Sequence, residues 1–211
     1  MDSSAATAPP RRPASRRLLR TVAVTSIAVA LLAGVSRASG GDESAALERA
    51  RALTANLAGA LMPRLQQEIA AHGTAQALTV CAEVAQPMTA AAASEGASLR
   101  RVSLRARNPA DRPDDFERRV LEELAAQHAA GTLPAERFET VAGPDGRELR
   151  YFKPIVVQPL CLRCHGERES LEPEVRARLA QLYPDDEAVG YREGDLRGAV
   201  SVRVPLPSAD D

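Results

Sequence analysis

Hydrophobic side chains recur every three or four residues over several stretches of the chain, which is the spacing of amphipathic helices. The helices predicted in this way are residues 43–72, 75–93, 111–131 and 171–182. Gly73 is a stop signal between the first two. Pro63 and Pro87 lie inside them, and each predicts a kink or a break in its helix.

Shorter stretches that alternate apolar and polar residues, or that are rich in β-branched and aromatic residues, predict strands. These strands are residues 99–106, 138–142, 148–157 and 196–204. The middle two flank the turn sequence Gly143-Pro144-Asp145-Gly146, which is typical of a hairpin. Helices followed by strands mixed with helices predict an α+β fold with an antiparallel sheet.

The N-terminus has the pattern of a secretory signal. Its basic residues are followed by an apolar run over residues 21–35 and by Ser36-Arg37-Ala38, which places small residues at both cleavage-specifying positions; the basic residues are Arg11, Arg12, Arg16, Arg17 and Arg20. We therefore predict a signal peptide over residues 1–38, cleavage after Ala38, and a single domain over residues 39–211 that works in the periplasm or is otherwise exported.

Two alternatives to this signal remain open. An uncleaved anchor is disfavoured because the apolar run has about 15 residues, whereas a spanning helix needs about 20. The membrane is thus expected to be only a transient partner. Arg16-Arg17 also resembles a twin-arginine signal, whose route carries folded proteins, but the general secretory route is preferred.

Charge and composition narrow the class of partner. Residues 1–38 hold six arginines and one acidic residue, so the remaining chain has 21 basic and 27 acidic residues, a net charge of −6. An acidic domain argues against nucleic acid as a partner. Aromatic residues make up only 3% of the chain and Trp is absent, so the core would gain from a large flat apolar guest.

The motif that indicates a chemical function is Cys161-Leu162-Arg163-Cys164-His165. C-x-x-C-H is the attachment signature of a c-type haem. Two thioethers three residues apart match the two vinyl positions of the porphyrin, and the next residue is then held under the iron. The sequence therefore predicts one covalent haem c, with His165 as the proximal ligand.

Other uses of paired cysteines fit less well. A thioredoxin-like dithiol would lie early, at the first turn of a βαβ unit, whereas this motif is late. A structural zinc site needs a second ligand pair, and Cys81 is the only cysteine left. A simple disulfide between Cys161 and Cys164 stays possible.

The residues alone leave the sixth iron ligand open. The candidates are Cys81, Met62, Met88, His72 and His128. Each also has an ordinary structural explanation, because Met and free Cys commonly fill cores and His is favourable at helix ends.

Several further stretches resemble a family of exported single-haem domains of unknown function with a PAS-like fold, which occur alone and as sensor segments of bacterial signalling proteins. They span residues 78–202 and include Leu78-Thr79-Val80-Cys81, residues 101–109, Tyr151-Phe152-Lys153-Pro154-Ile155, the haem motif with Gly166, residues 190–191 and residues 194–199. The resemblance implies a PAS-like sheet that holds the haem and His/Cys axial ligation, with Cys81 as the distal ligand.

Basic residues are candidates for pairing with the two haem propionates. They are Arg101, Arg105, Arg107 and Lys153, the last being the only lysine of the chain. Arginines that alternate along a strand are more often its solvated face, and the sequence does not choose among the four.

We expect an extracytoplasmic, stand-alone haem domain that acts as a redox or gas sensor, with a diatomic gas and a redox or signalling protein as candidate partners. The alternative is a small periplasmic electron-transfer cytochrome. An enzyme is disfavoured, because a Cys81 ligand would close the iron and no distal acid–base pair is evident in the sequence.

Overall fold

The computed structural model describes residues 23–79, 87, 96–143 and 145–207, with side chains from residue 40 onward. The chain divides into two compact units, residues 1–40 and 41–211. In the first unit, the residues from Ala23 onward are helical. Within the described residues, no helix is long and apolar enough to cross a membrane. The signal peptide and the predicted domain boundary stay predictions.

Helix α1 (Ala23–Thr79) contains the whole of the first predicted helix and the beginning of the second. The break predicted at Pro63 is wrong, because the backbone stays helical there. It is Gly73, with φ 85° and ψ 170°, that interrupts the helix, which resumes to Thr79. Such a backbone is readily adopted only by glycine. The remainder of the second predicted helix, apart from Pro87, lies outside the described residues.

Four strands form one antiparallel sheet in the order β1-β4-β3-β2. They are β1 (Ser98–Val102), β2 (Arg137–Gly143), β3 (Gly146–Val156) and β4 (Leu196–Pro205). β2 and β3 form the predicted hairpin, with Gly143 paired to Gly146. The first strand was predicted to reach Ala106 but ends at Val102, because the Ser103 N–H donates to the Asp111 carbonyl at 3.0 Å and leaves the ladder.

Helix α2 (Asp115–Ala129) begins later than predicted because Asp114 caps it. The Asp114 carboxylate accepts the Glu117 N–H at 2.7 Å, and the Glu117 carboxylate accepts the Asp114 N–H at 3.0 Å. This reciprocal pair is a capping box, which stabilises a helix start. Two further helices are α3 (Leu162–His165) and α4 (Pro173–Leu182).

Each face of the sheet is covered by a separate hydrophobic cluster. The part of α1 around Ala50 packs with Tyr151 and Val202 on one face. On the other face, α2 packs through Val120, Leu121 and Leu124, and Phe152 lies beneath it. The α+β class with an antiparallel sheet is confirmed, and the arrangement is PAS-like.

Candidate cofactor site

The Cys–His motif forms a tight local turn. Pro159–Cys161 is a 3₁₀ turn that leads directly into α3, which places Cys161, Cys164 and His165 within one compact segment. The Gly166 N–H donates to the Leu162 carbonyl at 3.0 Å. A Cβ on Gly166 would lie 2.7 Å from that carbonyl oxygen, so the residue after the histidine has little room for a side chain.

This segment forms one wall of an apolar cavity. Cys161, Cys164 and His165 all line it, and its volume is about 190 Å³. Its other walls are mostly apolar and come from α1, the end of β1 and the end of β3; they include Leu61, Met62, Leu65, Ile69, Leu78, Val102, Ile155 and Val157.

His165 is held as a neutral imidazole of defined tautomer. Its Nδ1–H donates to the Ala188 carbonyl at 2.6 Å. Burial lowers the pKa of His165 well below its usual value, and the nearby cations Arg107 and Arg197 lower it further. Since a carbonyl can only accept, the proton lies on Nδ1 and the Nε2 lone pair is left available, which is the arrangement typical of a metal-ligating histidine.

Two backbone hydrogen bonds fasten the motif to the loop that precedes β4. The Gly190 N–H donates to the Gly166 carbonyl at 2.8 Å, and the Tyr191 N–H donates to the His165 carbonyl at 2.9 Å. The Tyr191 ring meets the imidazole edge-on, with 6.3 Å between ring centroids. The histidine is therefore fixed from its side chain and its main chain by the same loop.

Arg107 supports this loop and the motif together. Its guanidinium pairs with Asp186 at 3.1 Å, and the two side chains are only 6% and 2% exposed. It also donates to the carbonyls of Cys164 at 2.6 Å and Ala188 at 3.1 Å. Arg107 lines the cavity, but its hydrogen bonds go to the protein, which makes it a positioning residue.

Two other arginines line the cavity, and each has an N–H group that makes no hydrogen bond within the described part of the chain. Arg101 pairs with Asp111 at 3.5 Å. Arg197 donates from Nη1 to Ser103 Oγ at 2.7 Å and to the Arg105 carbonyl at 3.1 Å. The buried Nε atoms of both arginines have no hydrogen-bond partner among the described residues. Sequence reasoning missed Arg197, although a charged residue beside a glycine in the apolar run of β4 was a usable signal.

The remaining predicted basic residues lie outside the cavity lining. Arg105 donates to the carbonyls of Glu187 and Val189, and its guanidinium lies 4.3 Å from the Tyr191 ring centroid. Lys153 donates from Nζ to the Ala135 carbonyl at 2.8 Å. Neither side chain is brought to the Cys–His motif.

The structure places three of the five candidate distal ligands. Met62 lines the cavity, whereas His72 pairs with Glu68 at 2.9 Å and the His128 Nε2–H donates to the Gly194 carbonyl at 2.8 Å. Neither histidine is part of the cavity lining. Cys81 and Met88 lie outside the described residues.

A PAS-like α+β domain with a cysteine–histidine segment on the wall of an apolar cavity defines the class of this protein. The chain belongs to the Tll0287-like family, whose model matches residues 40–205. It is also similar to the crystal structure of the cyanobacterial heme-protein Tll0287, with 27% identity and a TM-score of 0.56 over 75% of this chain and 94% of that one. No curated protein matches the chain.

Proposed function

We propose that this protein is an extracytoplasmic domain that binds one haem c, attached through Cys161 and Cys164 with His165 as an iron ligand. The observation that carries the proposal is that all three residues face one apolar cavity. Membership of the Tll0287-like family and similarity to a cyanobacterial heme-protein support it.

The residues around the cavity fit such a group in three respects. The lining is mostly apolar, as a porphyrin ring requires. The His165 Nδ1–H is already bonded, which leaves Nε2 for a metal. Arg101 and Arg197 each have a buried N–H group with no hydrogen-bond partner among the described residues. Propionate carboxylates would supply the acceptors. When bound, the haem would supply reversible one-electron chemistry and a site for an axial ligand.

Covalent attachment is tested first. We expect the mature chain to weigh one haem more than its sequence and to keep its haem absorbance after acid–acetone extraction. A Cys161→Ala, Cys164→Ala double variant should lose the colour on extraction, whereas Cys81→Ser should keep it. Colour that is extracted from the wild-type protein would contradict covalent attachment.

We further propose Cys81 as the distal ligand. Ala77 and Leu78 line the cavity, and Cys81 follows Leu78 by three residues. Three residues of chain span at most about 10 Å, so the length of chain between Leu78 and Cys81 is compatible with this role. A thiolate offsets the charge of ferric iron and makes an added electron unfavourable in a poorly solvated pocket, so the midpoint potential should be low.

This ligand set favours a sensor of redox state or of a diatomic gas. A Cys81 thiolate would be stabilised less by ferrous than by ferric iron, so reduction would favour its protonation. Loss of this ligand would open a ligand position and would couple redox state to shape. A redox or signalling protein would be the partner that reads this change. A small electron-transfer cytochrome is the alternative, because an electron carrier keeps its ligands in both states.

The distal ligand and the choice between these roles are tested with Cys81→Ser. The variant should convert a low-spin ferric EPR spectrum to high spin or to another ligand set, and it should raise the midpoint potential. Met62→Leu, which alters another cavity residue, is the matched control and should leave the spectrum unchanged. An unchanged spectrum and potential in Cys81→Ser would remove both the ligand assignment and the main argument for sensing.

Export is tested on the native protein. The periplasmic fraction should contain a chain that begins at Ser39 when its N-terminus is sequenced. An intact chain that partitions with membranes would support an uncleaved anchor instead.

A further inference from the structure

The cavity wall carries more positive charge than its carboxylates offset. Arg101, Arg107 and Arg197 line it. Asp111 pairs with Arg101 and Asp186 pairs with Arg107. Among the described residues, no carboxylate forms a salt bridge with Arg197, and Asp111 acts on it only at longer range.

Arg197 is nevertheless largely withdrawn from water. Burial lowers its pKa, and Arg107 and Arg101 lower it further, whereas Tyr191 and Asp111 act in the opposite direction. Its two hydrogen bonds from Nη1 go to neutral oxygens of Ser103 and Arg105. A buried charge is costly unless it is paired, so this position needs an anion.

An unpaired N–H is not in itself diagnostic, as Arg150 shows. Arg150 also has buried N–H groups without a hydrogen-bond partner. It has, however, three carboxylates within 4.0 Å, those of Asp114, Glu117 and Glu148. What distinguishes Arg197 is a half-buried guanidinium that borders an apolar cavity and forms no salt bridge with a carboxylate of the described residues.

We propose that Arg197 is the residue that binds a haem propionate carboxylate, with Arg101 as a second contact on the same wall. The inference rests on the proposed haem function and assigns the propionate end of the group to the Ser103–Arg197 side of the cavity. Arg107 is the weaker candidate because its Nε and Nη2 groups already donate to Asp186, Cys164 and Ala188.

This role of Arg197 predicts the direction in which the midpoint potential changes when its charge is removed. A positive charge beside the propionates favours the reduced haem, which carries one more electron. Arg197→Gln in the haem-loaded protein should therefore lower the potential. A unit charge within several ångströms of a partly buried site changes the equilibrium constant for reduction by roughly tenfold, which is about 59 mV for one electron.

The test compares three haem-loaded variants by redox titration and by the propionate bending modes in resonance Raman spectra. Arg197→Gln should lower the potential and shift those modes. Arg197→Lys keeps the charge and loses the planar guanidinium, so it should keep most of the potential and still shift the modes. Arg192→Gln removes an exposed arginine of the loop that precedes β4 and should leave both unchanged.

A potential and Raman spectrum of Arg197→Gln that match those of Arg192→Gln would overturn the proposal. If Arg197→Gln does not accumulate, unchanged propionate modes in Arg197→Lys would overturn it equally. Wild-type protein without covalent haem would overturn the proposed function itself, so the two failures are distinguishable.

Discussion

Two clusters of arginines and carboxylates in this domain differ in their charge balance. In the first, the α2 network, Arg100, Arg150 and Arg203 meet three carboxylates beside α2, which are those of Asp114, Glu117 and Glu148. In the second, the cavity network, three arginines share two carboxylates; its members are Arg101, Arg107, Arg197, Asp111 and Asp186.

The difference shows how to distinguish structural charge from charge kept for a ligand. The α2 network balances its own charges: Glu117 is fully buried, yet it accepts from Ser201 Oγ at 2.9 Å and from the Asp114 N–H. One of its arginines also lies against an aromatic ring, with Arg150 4.2 Å from the Phe116 centroid. The cavity network has, among the described residues, one carboxylate fewer than it has arginines, and it borders the apolar space where a guest would lie.

The largest effect is expected from Arg107→Met, which breaks the buried pair of the cavity network. It leaves Asp186 buried without its cation and removes donors from the carbonyls of Cys164 and Ala188. Breaking such a pair costs about 3–5 kcal/mol of unfolding free energy, which urea denaturation would measure. Arg192→Met, at an exposed arginine, should cost little. A loss below about 1 kcal/mol in Arg107→Met would refute its positioning role.

Gly198→Ala should cost somewhat less, about 3 kcal/mol, at the backbone of the cavity wall. Gly198 has φ +152°, and a Cβ there would lie 2.2 Å from the Val102 carbonyl oxygen, so β1 and β4 would have to separate locally. Gly194→Ala is the control, because its φ is +90° but its Cβ would meet open space. Thermal unfolding that is equal for the two variants would show that the close approach does not matter.

Asp114 distinguishes helix capping from ion pairing in the α2 network. Asp114→Ala removes both, and we expect it to lose about 1 kcal/mol of unfolding free energy. Asp114→Asn keeps an acceptor for the Glu117 N–H and removes only the charge that faces Arg203 and Arg150. It should therefore lose less in urea denaturation. Equal losses would mean that the charge, and not the cap, supplies the stability.

The smallest effect is a dependence of stability on pH. Burial raises the pKa of Asp114, but the Glu117 N–H and the neighbouring arginines outweigh it, and the net shift is downward. Glu136 is also lowered, chiefly by its hydrogen bond from Arg51. Because both folded-state pKa values lie below the unfolded ones, this stability is complete above about pH 5 and is lost as the pH falls further.

The matched measurement is the melting temperature as a function of pH in the wild type and in an Asp114→Asn, Glu136→Gln variant. The variant should have a flatter slope below about pH 5. Parallel curves would show that other carboxylates dominate the acid response.

Local patterns predicted most of the secondary structure. The helical spacing of residues 111–131 predicts α2, the glycines of the turn predict the hairpin of β2 and β3, and the C-x-x-C-H spacing identifies the motif from Cys161 to His165. The start of α2 was predicted at residue 111, whereas the capping box of Asp114 and Glu117 sets it. Each of these signals depends on interactions between neighbours in sequence.

The rest depended on contacts between distant parts of the chain. No local rule relates His165 to the carbonyl of Ala188, 23 residues later, or separates Arg107 from Arg101 on the same segment. Arg197 reaches the cavity only because β4 pairs with β1. Lys153 was a candidate by its rarity, but its place on β3 directs its amino group to Ala135.

The hydrogen bonds that join Gly190 and Tyr191 to the motif set an order for the protein's maturation. Each of these bonds joins two residues more than 20 positions apart, so together they hold the loop before β4 against His165 and Gly166. On the proposed function, the two thiols must reach an attachment enzyme before this closure, while the segment is still loose. Because attachment takes place on the unfolded chain after export, it precedes this folding step, and folding then closes the loop over the product.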